Sequence, residues 1–285
     1  MAGRILLGTC SWNYDSWMGL VYTTPQKRAA DYLPEYAGHY RTAEIDSWFY
    51  RVPSRKDVQA YRDAVDENFR FTCKVPQEIT LTHMRAKKGE PLVDNPGFLS
   101  QERFGAFLKA IEPLADRMDA VMFEFEYLNR QKMPSQDEFQ EQLARFFADA
   151  PVGLPYALEP RNGNWLNEKY FQFLDRTKLM HVFSEKLYLP HVYEAYEKSR
   201  GLLHGTGVIR LMGGDRKAIE ERTGEKWNEV VDEKADKDRI ADMAADMAST
   251  RDVIINVNNH YEGSSPRTIA ELRRLLKERT KAEVL

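Results

Sequence analysis

The chain has 285 residues, 42% of them hydrophobic and 30% charged, with 41 basic residues against 44 acidic ones for a net charge of -3. That length suits one barrel of about 250 residues or two small domains, and the near balance of charge argues against a general binder of nucleic acid or of a membrane surface. Two cysteines, Cys10 and Cys73, with no Cys/His cluster, predict buried free thiols in a reducing compartment and no structural zinc.

The first strand is expected at Ile5–Thr9, with no long apolar segment before it. Neither a signal peptide nor a membrane helix is therefore expected, and the predicted location is cytoplasmic. Further strands are expected at Thr42–Asp46, Arg70–Lys74, Ala120–Phe125, Tyr156–Glu159, Leu179–Ser184, Gly207–Leu211 and Val253–Val257, eight in all. Between and after them, helical periodicity covers Lys27–Tyr40, Ser54–Val65, Ser100–Leu114, Gln136–Ala148, Asn167–Arg176, Lys234–Met247 and Pro266–Lys277. Strand then helix, repeated along the chain, predicts an α/β fold, a single TIM-type (β/α)8 barrel forming one domain over residues 1–285. Units six and seven are the least regular: 185–206 contains Pro190, Gly201 and Gly205, and the charged stretch 212–235 reads as an arm. A long segment, Ile79–Gln101, carries His83, Arg85, Lys87 and Lys88 and has the length of a lid over a barrel mouth.

In such a barrel chemistry gathers where strands run into the following loops. Tyr156-Ala157-Leu158-Glu159-Pro160-Arg161-Asn162-Gly163-Asn164-Trp165 is the clearest such place: an apolar strand ending in a carboxylate, a guanidinium, two carboxamides and an indole. Lys74 ends the third strand, Glu124 and Glu126 the fourth, and Asn258, Asn259 and His260 follow the eighth. Arg210 sits among apolar neighbours in the seventh, so it is expected inside the barrel, where a guanidinium needs an anion such as Glu159, Glu44 or a ligand. Trp12, Trp17, Trp48 and Trp165 suit the core as readily as a site wall.

Together these motifs resemble the YecE-like family, the domain of unknown function 72, from about Gly8 to about Leu276. The matching segments are Gly8-Thr9-Cys10-Ser11-Trp12, Glu44-Ile45-Asp46-Ser47-Trp48-Phe49-Tyr50-Arg51, Phe71-Thr72-Cys73-Lys74-Val75-Pro76, Glu159 with Arg161 and Trp165, Val208-Ile209-Arg210-Leu211-Met212-Gly213, and Asn258-Asn259 with Gly263 and Pro266. The chain departs from the family pattern at Asp46, at Glu124 to Tyr127 and at His260. The resemblance implies the TIM-type fold and the site at its mouth, and the chemistry is read from the residues.

The favoured reading is an enzyme of hydrolase or lyase type acting on a small phosphate- or carboxylate-bearing molecule. Lys74, Arg161 and Arg210, arriving from three strands, would hold the anion. Glu159 would act as general acid or base and His83 as a proton carrier on the lid. Trp12, Glu44, Tyr50, Trp165, Asn258 and Asn259 would complete the pocket, with no cofactor and no metal required. A glycoside hydrolase is the alternative, needing two carboxylates about 5–5.5 Å or about 6.5–9.5 Å apart, from among Glu124, Glu159 and Glu44. A metal-dependent hydrolase or isomerase is opposed by the cations. A barrel without turnover, binding nucleic acid or a protein through Arg85-Ala86-Lys87-Lys88, belongs to another class, and salt-dependent retention on single-stranded nucleic acid would distinguish it. The residues set no oligomeric state.

Overall fold

Eight parallel strands close into a barrel because each apolar run is followed by a segment that covers its outer face. The computed structural model describes residues 3–85, 87 and 89–285. The strands are β1 (Arg4–Cys10), β2 (Thr42–Ile45), β3 (Arg70–Lys74), β4 (Met118–Glu124), β5 (Tyr156–Glu159), β6 (Met180–Lys186), β7 (Gly207–Gly213) and β8 (Val253–Val257), each paired in parallel with the next and β8 with β1. The helices are α1 (Ala29–Tyr36), α2 (Arg55–Asp63), the single turn α3 (Gln77–Thr80), α4 (Gln101–Ile111), α5 (Gln136–Ala148), α6 (Glu168–Thr177), α7 (Val192–Ser199), α8 (Arg216–Thr223), α9 (Lys237–Ala248) and α10 (Ser265–Arg279). Ser54, Ser100, Ser135 and Asn167 each accept a backbone N–H at a helix start, contacts that contribute about 1 kcal/mol apiece.

Two strands end two residues later than expected. β6 runs on to Lys186 and β7 to Gly213, with a register shift between Glu185 and Lys186. The stretch read as a charged arm contains α8, capped by Asp215, whose carboxylate accepts the N–H groups of Lys217 and Ala218. A ninth strand, β9 (Glu283–Val284), was not expected; it pairs with Arg4 and Ile5 of β1. β2 meets β1 only from Gly8 onward, so the first residues of β1 would otherwise leave one edge unpaired, and β9 satisfies it. Gly8 itself has no room for a side chain: a Cβ there would lie 2.1 Å from Thr42 O, so β1 and β2 approach only because that residue is glycine.

Strand alternation sorts the interior. Ala120, Met122, Ala157, Met180, Val182 and Val208 form an apolar cluster of their own inside the barrel. At the same inward parity, nearer the C-terminal ends, stand Glu44, Lys74, Glu124, Glu159, Ser184 and Arg210. Asn256 reaches across to donate to Thr72 Oγ1 at 2.9 Å between the two layers. Among the described residues no helix is long and apolar enough to cross a membrane.

Candidate functional site at the barrel mouth

Arg210 is the hub. It is fully buried, and a charge there is tolerated only with close partners. Its Nε and Nη2 grip the Glu44 carboxylate at 2.7 and 2.6 Å. Its Nη1 reaches Glu159 at 2.7 and 2.9 Å and Glu124 Oε2 at 3.1 Å. Burial opposes the charge, but Glu159 and Glu44 outweigh it and raise the guanidinium pKa well above its usual value.

Around this hub the other charges interlock. Lys74 pairs with Asp46 and lies 3.5 Å from Glu124 Oε2, with its ammonium 4.3 Å from the Phe49 ring centre. Burial would lower its pKa, yet Glu124 and Asp46 leave it raised. Arg161 Nη2 meets Glu124 Oε2 at 3.1 Å. Its buried Nη1 stands 3.0 Å from Glu159 Oε1 without the alignment of a hydrogen bond. Ser184 donates to Glu159 Oε1. Although burial would raise the Glu124 pKa, Arg161, Lys74 and Arg210 hold its carboxyl far below the ordinary range.

Lys74, Arg161 and Arg210, expected to hold an anion, already meet acids of the chain itself. Glu44, Asp46, Glu124 and Glu159 face Lys74, Arg161 and Arg210, four negative groups against three positive. Asp46, two residues beyond Glu44 and so of the same parity, joins it at the site just where the chain leaves β2 at Ile45. Arg210 is spent on three carboxylates and is not an open anion binder. Glu159 is 1% exposed and has Arg210 and Ser184 on its oxygens, which leaves it positioning cations rather than meeting solvent.

Two cavities open onto this cage. One of about 490 Å³ is lined by Glu124, Glu126, Arg161 and Lys186, with Tyr127, Leu187, Tyr188 and Leu189 as its apolar wall. The second, about 660 Å³, shares Glu124 and Glu126 and adds Phe49, His83 and Lys132. Tyr127 and Tyr188 are 64% and 91% exposed, and Tyr188 holds the left-handed conformation at φ 70°, which costs energy for a residue with a Cβ. Lys186 has no ion-pair partner among the described residues. Burial first, then the neighbouring Arg161, lowers its pKa.

The remaining expected site residues are scattered. His83 stands on the wall of the second cavity, with Nδ1 2.9 Å from Thr82 Oγ1 and Nε2 3.3 Å from Asp94. Tyr50 lines a third cavity of about 640 Å³ beside His83 and Arg85. Trp12 is buried away from these cavities, donating from Nε1 to Ala29 O at 2.8 Å and packing edge-on against Tyr61. Trp165 packs on Phe139. Asn258 Oδ1 accepts the backbone N–H of His260, and Asn259 Oδ1 accepts from Ser265 N and Oγ at the start of α10, so both amides shape the loop after β8. In the basic loop, Arg85 donates to Gln77 and the Lys87 N–H to Glu90; Ala86 and Lys88 lie outside the described residues. Glu185, His191 and Asp236 bring donor atoms within 4.8 Å of one another, but Glu185 already accepts from Val192 N and Asp236 from Tyr261 Oη, which ties the trio to the start of α7. Lys186 is the residue that sequence reasoning missed; its signal is its position two beyond Ser184, on the same face of a strand that continues.

Fold and mouth together define a TIM-type α/β barrel with a charge cage at the C-terminal ends of its strands. The chain belongs to the protein family of unknown function DUF72, whose model matches residues 6–284. Among solved structures it is similar to a DUF72 family protein from Enterococcus faecalis V583, at 21% identity and TM-score 0.68, covering 96% of each chain. A DUF72 family protein from Thermotoga maritima MSB8 shares 19% identity at TM-score 0.63, over 96% of this chain and 99% of that one. A D-tagatose 3-epimerase-like protein shares the fold at 13% identity and TM-score 0.55, over 96% and 98%. Among curated proteins there is no match.

Proposed function

We propose that this barrel is an enzyme acting on a small molecule that carries an anionic group, held in the 490 Å³ cavity by Arg161 and Lys186. The observation that carries this reading is a pair of cations on one cavity wall, one of which, Lys186, has no acid to neutralise it. Arg161 Nη1 makes no hydrogen bond, and Lys186 has no acid partner among the described residues. A carboxylate or phosphate would give Lys186 its counter-ion beside the Arg161 guanidinium, which already meets Glu124 and Glu159. The apolar wall of Tyr127, Leu187, Tyr188 and Leu189 suits a ligand with a less polar body.

Glu124 is the cage carboxylate that faces this cavity. Its contacts with Lys74, Arg161 and Arg210 all fall on Oε2, leaving Oε1 for a hydrogen bond from a substrate. Three cations hold it ionised, so it orients a ligand and does not supply the protonated carboxyl that glycoside hydrolysis needs near neutral pH. Glu159 and Arg210 then serve to aim Arg161 and Glu124, and His83 serves the adjoining cavity.

The test is a thermal-shift screen of small carboxylates, phosphates and neutral sugars on the full chain. Anionic compounds should raise the melting temperature, and Arg161→Met should abolish the shift. Stabilisation by neutral sugars alone, unaffected by Arg161→Met, would overturn the reading.

A further inference from the structure

We propose that Lys186 is an amine nucleophile that forms an imine with a carbonyl-bearing anion, of which a short 2-oxo acid is the simplest member. This rests on the reading of the cavity given above and narrows it from any small anion to one with an aldehyde or ketone beside the charged group.

The geometry carries it. The other cations of the cage are committed: Arg210 to three carboxylates, Lys74 to Asp46 and Glu124, Arg161 to Glu124 and Glu159, and Lys132 to Glu126 at 2.7 Å. Lys186 is half-buried at the end of β6, on the floor shared by the 490 Å³ cavity and a neighbouring one of about 290 Å³, without an ion pair among the described residues. A lysine used only for structure in such a place would be paired, because a half-buried ammonium without an anion is penalised. An amine kept for nucleophilic attack has the opposite need. It must be neutral part of the time, and desolvation with a cation alongside is how a lysine is made so. Both conditions hold: burial and Arg161, with Arg210 behind it, depress the Lys186 pKa, while Glu124 and Glu159 oppose them only in part. His260, on the far side, also senses the Lys186 charge, and Lys234 and Asp236 line the smaller cavity.

The ligand follows from the neighbours. Arg161 would bind the carboxylate, the apolar wall would take the carbon chain, and the carbonyl carbon would lie at the amine. The neutral nitrogen forms a C–N bond while the carbonyl π pair moves to oxygen, which takes a proton to give the carbinolamine. The nitrogen passes one of its protons to that hydroxyl, which leaves as water as the freed nitrogen lone pair closes C=N and the C–O bond breaks. Amine, carbonyl and one proton from solvent thus give a protonated imine and one water, with no oxidant or reductant. The iminium is an electron sink for a carbanion at the adjacent carbon.

The experiment uses the full chain with pyruvate and sodium cyanoborohydride, read by intact mass and peptide mapping, with thermal shift by pyruvate and by lactate in parallel. The expected result is a single adduct at Lys186, absent from Lys186→Arg and formed about tenfold more slowly in Arg161→Met, the loss of one charge-assisted contact. Adducts spread over exposed lysines with Lys186 unmodified overturn the inference. If lactate and pyruvate both stabilise the protein through Arg161 and no adduct forms, the imine falls and the anion site survives. If Lys186 is trapped but lactate is ignored and Arg161→Met changes nothing, the imine stands and the anion site falls. If neither compound binds and nothing is trapped, both fall.

Discussion

Two buried ion clusters in this molecule look alike and behave differently. Beside the loop after β8, Lys237, at the start of α9, meets Glu262 at 2.6 Å and Glu271 at 2.8 Å. Glu262 is fully buried and also accepts from Thr268 Oγ1 and the Lys234 N–H. That cluster is complete: the ammonium and the buried carboxylate have their partners, and its place between α9 and α10 is structural. The mouth cluster has the same chemistry around Arg210 and then stops short at one edge. Glu124 Oε1 and Lys186 have no partner among the described residues, and both residues line one cavity with Arg161. A closed cluster fixes a fold; an open one has capacity for a ligand.

Removing the hub is the largest test of that contrast. Arg210→Met strands Glu44 and Glu159 in the interior, and breaking a buried pair in this way costs about 3–5 kcal/mol. Urea denaturation at pH 7 should show that loss. The stability should partly return as the pH falls, because burial, which already pushes Glu44 up against the pull of Arg210, is then unopposed. A carboxyl whose folded pKa is raised stabilises the fold as it gains its proton. A variant as stable as the parent at pH 7 would show that the cage is not what holds the mouth together.

The paired lysines sharpen it further. Lys237→Met should cost about 1–3 kcal/mol, less than the hub because Glu262 keeps two donors, and should leave ligand-induced thermal shifts unchanged. Lys186→Met should stay within about 0.5 kcal/mol of the parent, since no ion pair is lost, yet abolish those shifts. Equal destabilisation by both would erase the distinction between the clusters.

Much of the mouth is visible in the sequence because a strand has a period of two. Glu159 ending its strand, Lys74 ending another and Arg210 between apolar neighbours all announce inward positions at the same end of a parallel barrel. Which acids meet which cations is not visible, because Arg210 gathers Glu44, Glu124 and Glu159 from across the barrel and no local pattern records that closure. Read one strand at a time, the three cations look unopposed. Lys186 was hidden by a boundary: Glu185-Lys186 after an apolar run reads as the start of a loop, whereas β6 continues through a register shift. Trp12 shows the converse, an aromatic next to a strand end that reads as a pocket wall and is spent instead on packing against Tyr61.

At the opposite end of the barrel Asp119 asks whether incomplete pairing alone makes a site. It lies beside β4's first residue with Arg70 Nε 3.9 Å away, too far for a hydrogen bond, and it lines none of the three cavities at the mouth. Burial raises its pKa from 3.8 to about 6, against the partial pull of Arg70. The folded state therefore holds a proton that the unfolded chain releases between those values, so stability should fall as the pH rises from about 4 to about 6. Asp119→Asn removes the ionisable group and should flatten that part of the pH–stability curve, raising the urea midpoint at pH 7 slightly while leaving ligand-induced shifts at the mouth intact. A curve that keeps its slope in the variant assigns the pH dependence to other groups. A loss of ligand response would mean that the two ends of the barrel are coupled, and that openness in one cluster does not by itself locate the site.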